Sequence, residues 1–334
     1  MKRFVYVLSP VILFLFVVVA SAVEVRIEEW TVPTPDSRPH DPAVAPDGSL
    51  WYTGMRSNTL GRLDPKTGTI REYRLKTPDS GPHGLVADGE GSIWFTANSK
   101  GYIGKLNPRS GGVAEYPMPD PAARDPHTLI VDPKGLLWFT VQQGNFVGRL
   151  DPRTGAVSLK RLPVPGSRPY GIVVNSIGVP VFCEFGANKL ASIHPETMEI
   201  KEYALPEGAR PRRLVVAEND LIYYTDFARG YLGRFDPKSG KVEEWASPGG
   251  AKSQPYGIAV TREGTLWYSE SGVNPNSIVR FDPKKKSFAL WPIPSGGGVV
   301  RHMVAATAGD LYLACSGVNK VAIVRVREGI AETK

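Results

Sequence analysis

Short apolar segments alternate with polar turns along almost the whole chain, and one arrangement of them recurs. Residues 82–96 read PHGLVADGEGSIWFT, and residues 126–140 read PHTLIVDPKGLLWFT. In the first copy, residues 84–87 are an apolar run, residues 90–91 form a turn, and residues 92–96 interleave apolar and polar side chains. This pattern predicts two adjacent β-strands joined by a tight turn.

Two more strands complete the unit. Residues 102–106 predict the third strand and residues 113–116 predict a fourth, edge-like strand. The turn between them, at residues 107–111, has Pro in its second position, which presets φ, and Gly at its end, which accepts a positive φ. The repeating unit is therefore a four-stranded sheet.

The unit occurs seven times, at intervals of 42 to 45 residues. Its openings are Pro39-His40, Pro82-His83, Pro126-His127, Pro169-Tyr170, Pro211-Arg212, Pro255-Tyr256 and the degenerate Val300-Arg301. Four short strands in a period of this length are typical of a β-propeller blade. We therefore predict an all-β, seven-bladed propeller.

The two ends of the chain predict how the ring closes. After Arg301 there is sequence for only three strands, whereas residues 25–30 resemble the fourth strands of complete units, such as residues 69–73. A seventh blade assembled from both termini would pair the exposed strand edges. We expect one propeller domain over residues 24–328. We assign the four Trp of the second strands to packing between blades: Trp51, Trp94, Trp138 and Trp267.

The N-terminus is a separate segment. Lys2 and Arg3 precede an uncharged apolar run, and Ala20-Ser21-Ala22 offers an A-x-A cleavage site. We predict that residues 1–22 are a signal peptide and that the protein is exported to the periplasm or the extracellular space, with no membrane span after removal. The alternative is an uncleaved membrane anchor.

Composition agrees with this class of protein. The 35 Gly and 30 Pro indicate a turn-rich β fold, and loss of Lys2 and Arg3 lowers the formal net charge from +7 to +5. No Lys/Arg run with interleaved aromatic residues is present, so nucleic acid is not an expected partner. Cys183 and Cys315 fall nearly opposite each other around the ring and are expected to be free thiols. The sequence carries no oligomerisation signal, and we expect a monomer.

Polar residues concentrate at one mouth of the predicted channel. The start of each first strand and the end of each second strand lie at the same rim, because the two strands are antiparallel. The first ring of positions holds His40, His83, His127, Tyr170, Arg212, Tyr256 and Arg301, and the second holds Gly54, Ala97, Val141, Glu184, Asp226, Glu270 and Cys315. We predict a polar mouth with histidines on one side, carboxylates on the other, and a small molecule or cyclic peptide as its ligand.

The unit PHGLVADGEGSIWFTANSKGYIGKLNPRSGGVAEYPMP and the segment PYGIAVTREGTLWYSE resemble the repeats of the streptogramin B lyase (virginiamycin B lyase) family. The resemblance implies a seven-bladed propeller that linearises a cyclic depsipeptide by Mg²⁺-assisted elimination. The family uses a His that opens one blade, Glu-x-His that opens the next, and a Glu beyond that blade's second strand. Imidazole titrates near neutrality and suits a general base, and carboxylates suit a hard cation.

The catalytic residues of the family can be aligned with this chain in two ways, which differ in the blades that they use. In the linear register the positions are Tyr256, then residues 299–301, then Ser316, and none is the residue that the family uses. In a rotated register, His83 opens one blade, Asp125-Pro126-His127 opens the next, and Gln142 follows the second strand. The rotated register implies catalytic roles for His83, Asp125 and His127, with Mg²⁺ at Asp125 and Gln142.

Two other functions remain open at this point. The first is a non-catalytic binding propeller whose rim uses His40, Tyr170, Glu184, Arg212, Asp226, Tyr256, Glu270 and Arg301. The cationic and aromatic part of this rim favours an anionic or aromatic ligand. The second is sugar-lactone hydrolysis at a Ca²⁺ held by Glu184, Asp226 and Glu270.

Overall fold

The computed structural model describes residues 23–328. Its strands form seven four-stranded antiparallel sheets, and the innermost strand of each sheet contacts the innermost strands of its two neighbours. The sheets are the blades of a ring around a central channel. The predicted all-β, seven-bladed propeller is confirmed.

Each complete blade uses four consecutive strands, numbered here from the channel outward. Blade 1 comprises β2 (Pro39–Val44), β3 (Leu50–Gly54), β4 (Thr59–Leu63) and β5 (Ile70–Arg74). Blade 2 comprises β6 (Pro82–Ala87), β7 (Ile93–Ala97), β8 (Tyr102–Leu106) and β9 (Val113–Pro117). Blade 3 comprises β10 (Pro126–Val131), β11 (Leu137–Val141), β12 (Phe146–Leu150) and β13 (Val157–Arg161).

The next three blades repeat this plan. Blade 4 comprises β14 (Pro169–Val174), β15 (Pro180–Glu184), β16 (Lys189–Ile193) and β17 (Ile200–Ala204). Blade 5 comprises β18 (Pro211–Val216), β19 (Ile222–Asp226), β20 (Tyr231–Phe235) and β21 (Val242–Ala246). Blade 6 comprises β22 (Pro255–Val260), β23 (Leu266–Glu270), β24 (Ser277–Asp282) and β25 (Ser287–Pro292). Three short 3₁₀ turns also occur, at Glu218–Asp220, Gly250–Lys252 and Ser316–Val318.

Blade 7 joins the two ends of the described chain. It contains β26 (Val300–Ala305), β27 (Leu311–Cys315), β28 (Lys320–Glu328) and, on its outer edge, β1 (Val23–Thr31). Strands β1 and β28 pair antiparallel over their whole length, from Val23 opposite Glu328 to Thr31 opposite Lys320. The expected closure is confirmed, and β1 covers the edge of β28 and gives the last blade its fourth strand.

Large aromatic side chains fill the space within and between blades. Phe95 on β7 lies opposite Gly104 on β8, where a Cβ would come within 2.1 Å of the Phe95 ring. Glycine is therefore needed there, because the ring covers the backbone directly. The four second-strand Trp are at most 1% exposed, which confirms that they pack between blades.

Cys183 and Cys315 are buried free thiols, as predicted. Within residues 23–328, no helix has the length and apolar character required to cross a bilayer. The proposed signal peptide, residues 1–22, lies outside the described residues.

Candidate functional site

In five of the seven blades, a hydroxyl near the end of the second strand positions the residues that line the channel. In blade 2, the Thr96 hydroxyl accepts a hydrogen bond from the backbone N–H of Gly84 (2.7 Å) and donates to the carbonyl of His127 in the next blade (2.8 Å). The β6–β7 register is irregular between Pro82 and Leu85, so this hydroxyl satisfies a backbone group that the ladder leaves unpaired. Equivalent hydroxyl-to-carbonyl bonds come from Thr53, Thr140, Thr225 and Ser269.

The first ring of predicted residues forms a contiguous stack across the channel. Ring centroids are 3.8 Å apart for His40 and His83, 3.9 Å for His83 and His127, and 4.1 Å for His127 and Tyr170. The hydroxyls of Tyr170 and Tyr256 hydrogen-bond to each other, which carries the ring to the sixth blade. These five side chains are at most 5% exposed. The structure thus brings them together as a floor beneath the mouth.

Arg212 completes this floor on the side of blades 4 to 6. Its guanidinium lies 4.1 Å from the ring centroids of both Phe185 and Phe227, and it donates a hydrogen bond from Nη1 to the Tyr256 hydroxyl at 2.8 Å. Its Nε is buried and has no partner within the described chain. A half-buried cation among aromatic faces is suited to an aromatic or anionic ligand.

A buried ion pair lies one residue further along the inner strands. Arg213 donates two hydrogen bonds from Nη2 to the carboxylate of Asp41, at 2.8 and 3.0 Å, and one from Nη1 to the Thr128 hydroxyl at 3.2 Å. Arg213 is 2% exposed and Asp41 is 1% exposed. This pair was not predicted from the sequence. A signal was present, because Asp41 and Arg213 each directly follow a first-ring residue and lie in otherwise largely apolar strands.

The histidines of the channel are held neutral. Burial lowers the pKa of His40, and it lowers the pKa of His83 and His127 well below 6.5, with further lowering from neighbouring imidazoles and from Arg213. For His302 burial, helped by Arg213, lowers the pKa to about 3. Burial opposes the charge on Asp41, but Arg213 holds its pKa well below the usual range. The channel therefore combines four free-base imidazoles with one ion pair.

The residues of the rotated register are only partly brought together. His83 and His127 are neighbours in the stack, whereas both carboxylate oxygens of Asp125 accept backbone hydrogen bonds, from Gln143 at 2.5 Å and from Gly144 at 2.9 Å. Burial raises the pKa of Asp125. Gln142 is half-exposed beside this loop. The catalytic roles and the Mg²⁺ site stay predictions.

A different group offers metal-ligand atoms close together among residues 23–328. Ring nitrogens of His40 and His83 and a carboxylate oxygen of Asp41 lie within 4.8 Å of one another. Both oxygens of Asp41 are already engaged by Arg213, and the guanidinium would repel a second cation. This cluster is better described as part of the buried polar layer.

The three predicted rim carboxylates make contacts other than those expected. Glu270 accepts hydrogen bonds from Ser247 (2.5 Å) and from the Gly249 amide (2.7 Å), and Asp226 accepts from the Arg210 amide (3.0 Å).

Glu184 lies near Glu202 on the outer strand of its own blade, and burial together with that negative neighbour raises its pKa to about 7. Asp226 and Glu270 thus have hydrogen-bond donors, whereas neither carboxylate oxygen of Glu184 has a hydrogen-bond partner among residues 23–328. Separate environments of this kind do not make a shared Ca²⁺ site.

The linear-register positions lie in a basic environment. Arg301 and Ser316 line a pocket of about 280 Å³ together with Arg38 and Arg56. Tyr256 belongs to the stacked floor, and Val300 is buried. Three guanidinium groups in one pocket disfavour a divalent cation there.

The other end of the channel is aliphatic. A cavity of about 360 Å³ opens beyond the ion pair, with Thr128, Arg213 and His302 at its inner end. Its walls are aliphatic side chains of the seven inner strands, such as Leu85, Leu129, Ile172, Leu214, Ile258 and Met303. The polar mouth and this cavity are separated by the stacked floor and the Asp41–Arg213 pair.

Comparison with known proteins gives the family. The family model described as "Virginiamycin B lyase family" matches residues 18–249. A streptogramin B lyase structure is 26% identical, covers 91% of this chain and 98% of its own length, and superposes with a TM-score of 0.83. Virginiamycin B lyase from Staphylococcus aureus is 25% identical, covers 90% of this chain and 99% of its own, and has a TM-score of 0.81.

A third structure is a catalytically inactive histidine-to-alanine variant of the Staphylococcus aureus enzyme with quinupristin, at 24% identity and a TM-score of 0.81, covering 90% of this chain and 99% of its own. No curated protein matches the chain by sequence. The family model spans well over half of the chain, and the repeat pattern and the observed propeller agree with it. The chain therefore belongs to the virginiamycin B lyase family.

Proposed function

We propose that this protein is an exported binding propeller that captures a small or cyclic-peptide ligand at the polar mouth of its channel. The observation that carries this proposal is Arg212, a half-buried guanidinium within 5.1 Å of four aromatic ring centroids, with an unpartnered Nε. Aromatic faces and a partly desolvated cation at a concave mouth favour a ligand with aromatic or anionic groups.

Binding has more support than catalysis from the state of the ionisable groups. The ring histidines are buried within the stack, Asp125 already accepts two backbone hydrogen bonds, and Asp226 and Glu270 accept hydrogen bonds from the Arg210 and Gly249 amides. Asp125 and Gln142 offer one carboxylate and one amide oxygen, which is a weak donor set for Mg²⁺. Ligand binding at Arg212 does not require any of these histidines or carboxylates to be available for proton transfer or metal binding.

Elimination chemistry is the second candidate, and one observation favours it. His83 and His127 are adjacent, with ring centroids 3.9 Å apart, and their lowered pKa values keep both as free bases at neutral pH. In such a reaction, a histidine would remove the proton α to the ester carbonyl, a carbon–carbon double bond would form, and the carboxylate would leave from the β carbon. The Staphylococcus aureus structure with quinupristin is a catalytically inactive histidine-to-alanine variant.

One experiment separates the two functions. The protein without residues 1–22 is incubated with a streptogramin B depsipeptide, with and without Mg²⁺, and analysed by chromatography, mass spectrometry and thermal shift. We expect a saturable rise in melting temperature without product. A product of unchanged mass and altered retention, lost in His127→Ala, would replace binding by elimination, and a gain of one water would indicate hydrolysis.

The site of binding is tested with matched arginine variants. Arg212→Met is expected to reduce the thermal shift severalfold, because it removes the cation from the aromatic cluster. Arg262→Met changes an exposed arginine beyond the end of β22 and is expected to leave the shift unchanged. Equal shifts in the two variants would contradict a site at this mouth.

Export is part of the proposal. Residues 1–22 combine two basic residues, an apolar run and a cleavage site. We expect the mature protein to begin at Val23, as measured by intact mass after expression of the full chain and recovery outside the cytoplasm. A full-length mass in the membrane fraction would indicate an uncleaved anchor.

A further inference from the structure

A second basic pocket lies at the junction of blades 7 and 1. It has a volume of about 280 Å³ and is lined by Asp36, Arg38, Arg56, Arg301 and the segment Ser316-Gly317 with Gly298 and Asn319. Arg38 and Asp36 come from the segment between β1 and β2, Arg56 from the turn after β3, and Arg301 from the start of β26. Three separate chain segments therefore bring a guanidinium to one pocket.

The positive charges in this pocket are not neutralised internally. Within residues 23–328, no carboxylate forms an ion pair with Arg38, Arg56 or Arg301, although other arginines of the protein are paired. Arg38 is half-buried, and its pKa is lowered by burial and by the positive charges of Arg301 and Arg56. The exposed Asp36 is the single acid of the lining, so three cations and one anion leave two positive charges.

The backbone leaves room for a ligand beside these groups. Gly298 has φ 55° and packs directly on Gly317, where an added Cβ would lie 2.6 Å from the Gly298 carbonyl oxygen. This wall of the pocket is consequently free of side chains. Arg38 adopts a left-handed φ (53°), as do Gly81, Arg168 and Gln254, which also precede the first proline of a blade.

We propose that the pocket formed by Arg38, Arg56 and Arg301 binds a doubly charged oxyanion, namely a phosphate or sulfate group. Guanidinium groups match the oxygens of such anions with paired, charge-assisted hydrogen bonds, and two negative charges would balance the two excess positive charges. The inference goes beyond the proposed function, because it requires no ligand at Arg212. The anion has two possible sources, a free inorganic dianion or the phosphate monoester group of a larger molecule.

Binding is tested by calorimetry and thermal shift at low ionic strength. The probes are inorganic phosphate, inorganic sulfate and a phosphorylated monosaccharide, with sodium chloride at matched ionic strength as the reference. We expect saturable binding of a dianion and no equivalent effect of chloride. Tighter binding of an ester than of its inorganic ion would identify a larger ligand, and the reverse order would identify the free ion. Equal shifts for chloride and for all dianions would overturn the proposal.

Single and combined variants locate the site. Arg38→Gln, Arg56→Gln and Arg301→Gln are each expected to weaken dianion binding about tenfold, and the triple variant to abolish it. Arg262→Gln, at an exposed arginine outside the pocket, serves as the matched control and is expected to retain dianion binding. Unchanged affinity in the triple variant would overturn the proposal, whereas loss only in Arg212→Gln would move the anion to the mouth.

A second readout does not depend on any ligand. Because the three guanidinium groups repel one another, Arg56→Gln is expected to raise the melting temperature of the ligand-free protein at low ionic strength, and added salt should reduce this gain. Arg262→Gln is the exposed control and should show no comparable salt-dependent gain. A decrease in melting temperature for Arg56→Gln would contradict the charge accumulation on which the site depends.

Discussion

The two ends of the central channel are built from the same seven strands but differ in chemistry. At the mouth, the strands begin with imidazoles, phenols and guanidinium groups that stack and hydrogen-bond across the axis. From two residues further along, the same strands present aliphatic side chains to an open cavity. Near the axis, the polar side chains satisfy one another's hydrogen bonds, and these contacts close the channel at the mouth. The aliphatic side chains at the other end make no such contacts across the axis and leave a cavity.

This difference indicates where stability and function reside. The polar end concentrates buried charges, whose loss leaves partners unsatisfied, whereas the aliphatic end depends on ordinary packing. Substitutions at the two ends should therefore differ in size and in their response to pH.

The largest effect is expected from breaking the buried ion pair. Asp41→Asn leaves the Arg213 guanidinium buried without its counter-charge and should lower the free energy of unfolding by about 3–5 kcal/mol, measured by chemical denaturation. The double variant Asp41→Leu with Arg213→Met should recover much of this loss, because no charge is left unpaired. Glu196→Gln, which breaks the exposed Lys134–Glu196 pair, should change stability by under about 1 kcal/mol. A loss below about 1 kcal/mol for Asp41→Asn would show that the pair does not organise the polar end.

A packing change at the aliphatic end should be smaller. Leu129 is 4% exposed and borders the cavity, so Leu129→Ala should cost about 2–3 kcal/mol, in the lower part of the usual range for a buried leucine. Its cost should not vary between pH 8 and pH 5, because no titrating group is removed. The control is Ile177→Ala at a side chain that is 77% exposed, with an expected change within about 0.5 kcal/mol. A cost above that of Asp41→Asn would reverse the comparison between the two ends.

The polar end should also determine the acid sensitivity of the protein. The folded-state pKa values of His40, His83, His127 and His302 lie below the ordinary value of 6.5, so the unfolded chain binds more protons. The stability contributed by these neutral imidazoles is present above about pH 6.5 and is lost as the pH falls from there toward 3. Thermal unfolding between pH 8 and pH 4 should show this decline. His302→Phe should make it shallower, and an unchanged slope in that variant would contradict the assignment.

The smallest effect is expected from one hydroxyl of the stacked floor. Tyr256→Phe removes the partner of the Tyr170 hydroxyl and an acceptor for Arg212, and should cost about 1 kcal/mol. Tyr231→Phe is the control, because the Tyr231 hydroxyl makes no hydrogen bond to the described part of the chain. Similar stabilities for the two variants would mean that the phenol network orients the floor without stabilising the fold.

The repeats allowed the fold to be predicted closely. The strands expected in the second unit agree with β6 to β9 within two residues at each end, and the terminal strand exchange of blade 7 was predicted as well. The predicted first ring includes the histidines and tyrosines that form the floor. These features follow from local periodicity and from the geometry of a closed ring, both of which a single sequence displays.

The contacts that decide the chemistry were harder to predict. Asp41 and Arg213 are 172 residues apart in the chain and meet across the channel, and Arg38, Arg56 and Arg301 converge from three loops. The predicted rim carboxylates lie at the expected strand ends, where Asp226 and Glu270 accept hydrogen bonds from the Arg210 and Gly249 amides. The spacing of the repeats predicts how deep in the channel a residue lies. It does not predict the rotamer of the side chain or its partner across the channel axis.

The sequence by itself thus determined the number of blades, the closure of the ring and the residues placed at each depth of the channel, because these depend on spacing along the chain. Only the tertiary structure decided which side chains neutralise one another and which remain available to a ligand. Electrostatic and hydrogen-bond energies depend on distances between residues brought together by ring closure. For this reason, the buried Asp41–Arg213 pair and the unpaired arginines at the blade 7–blade 1 junction became visible only in three dimensions.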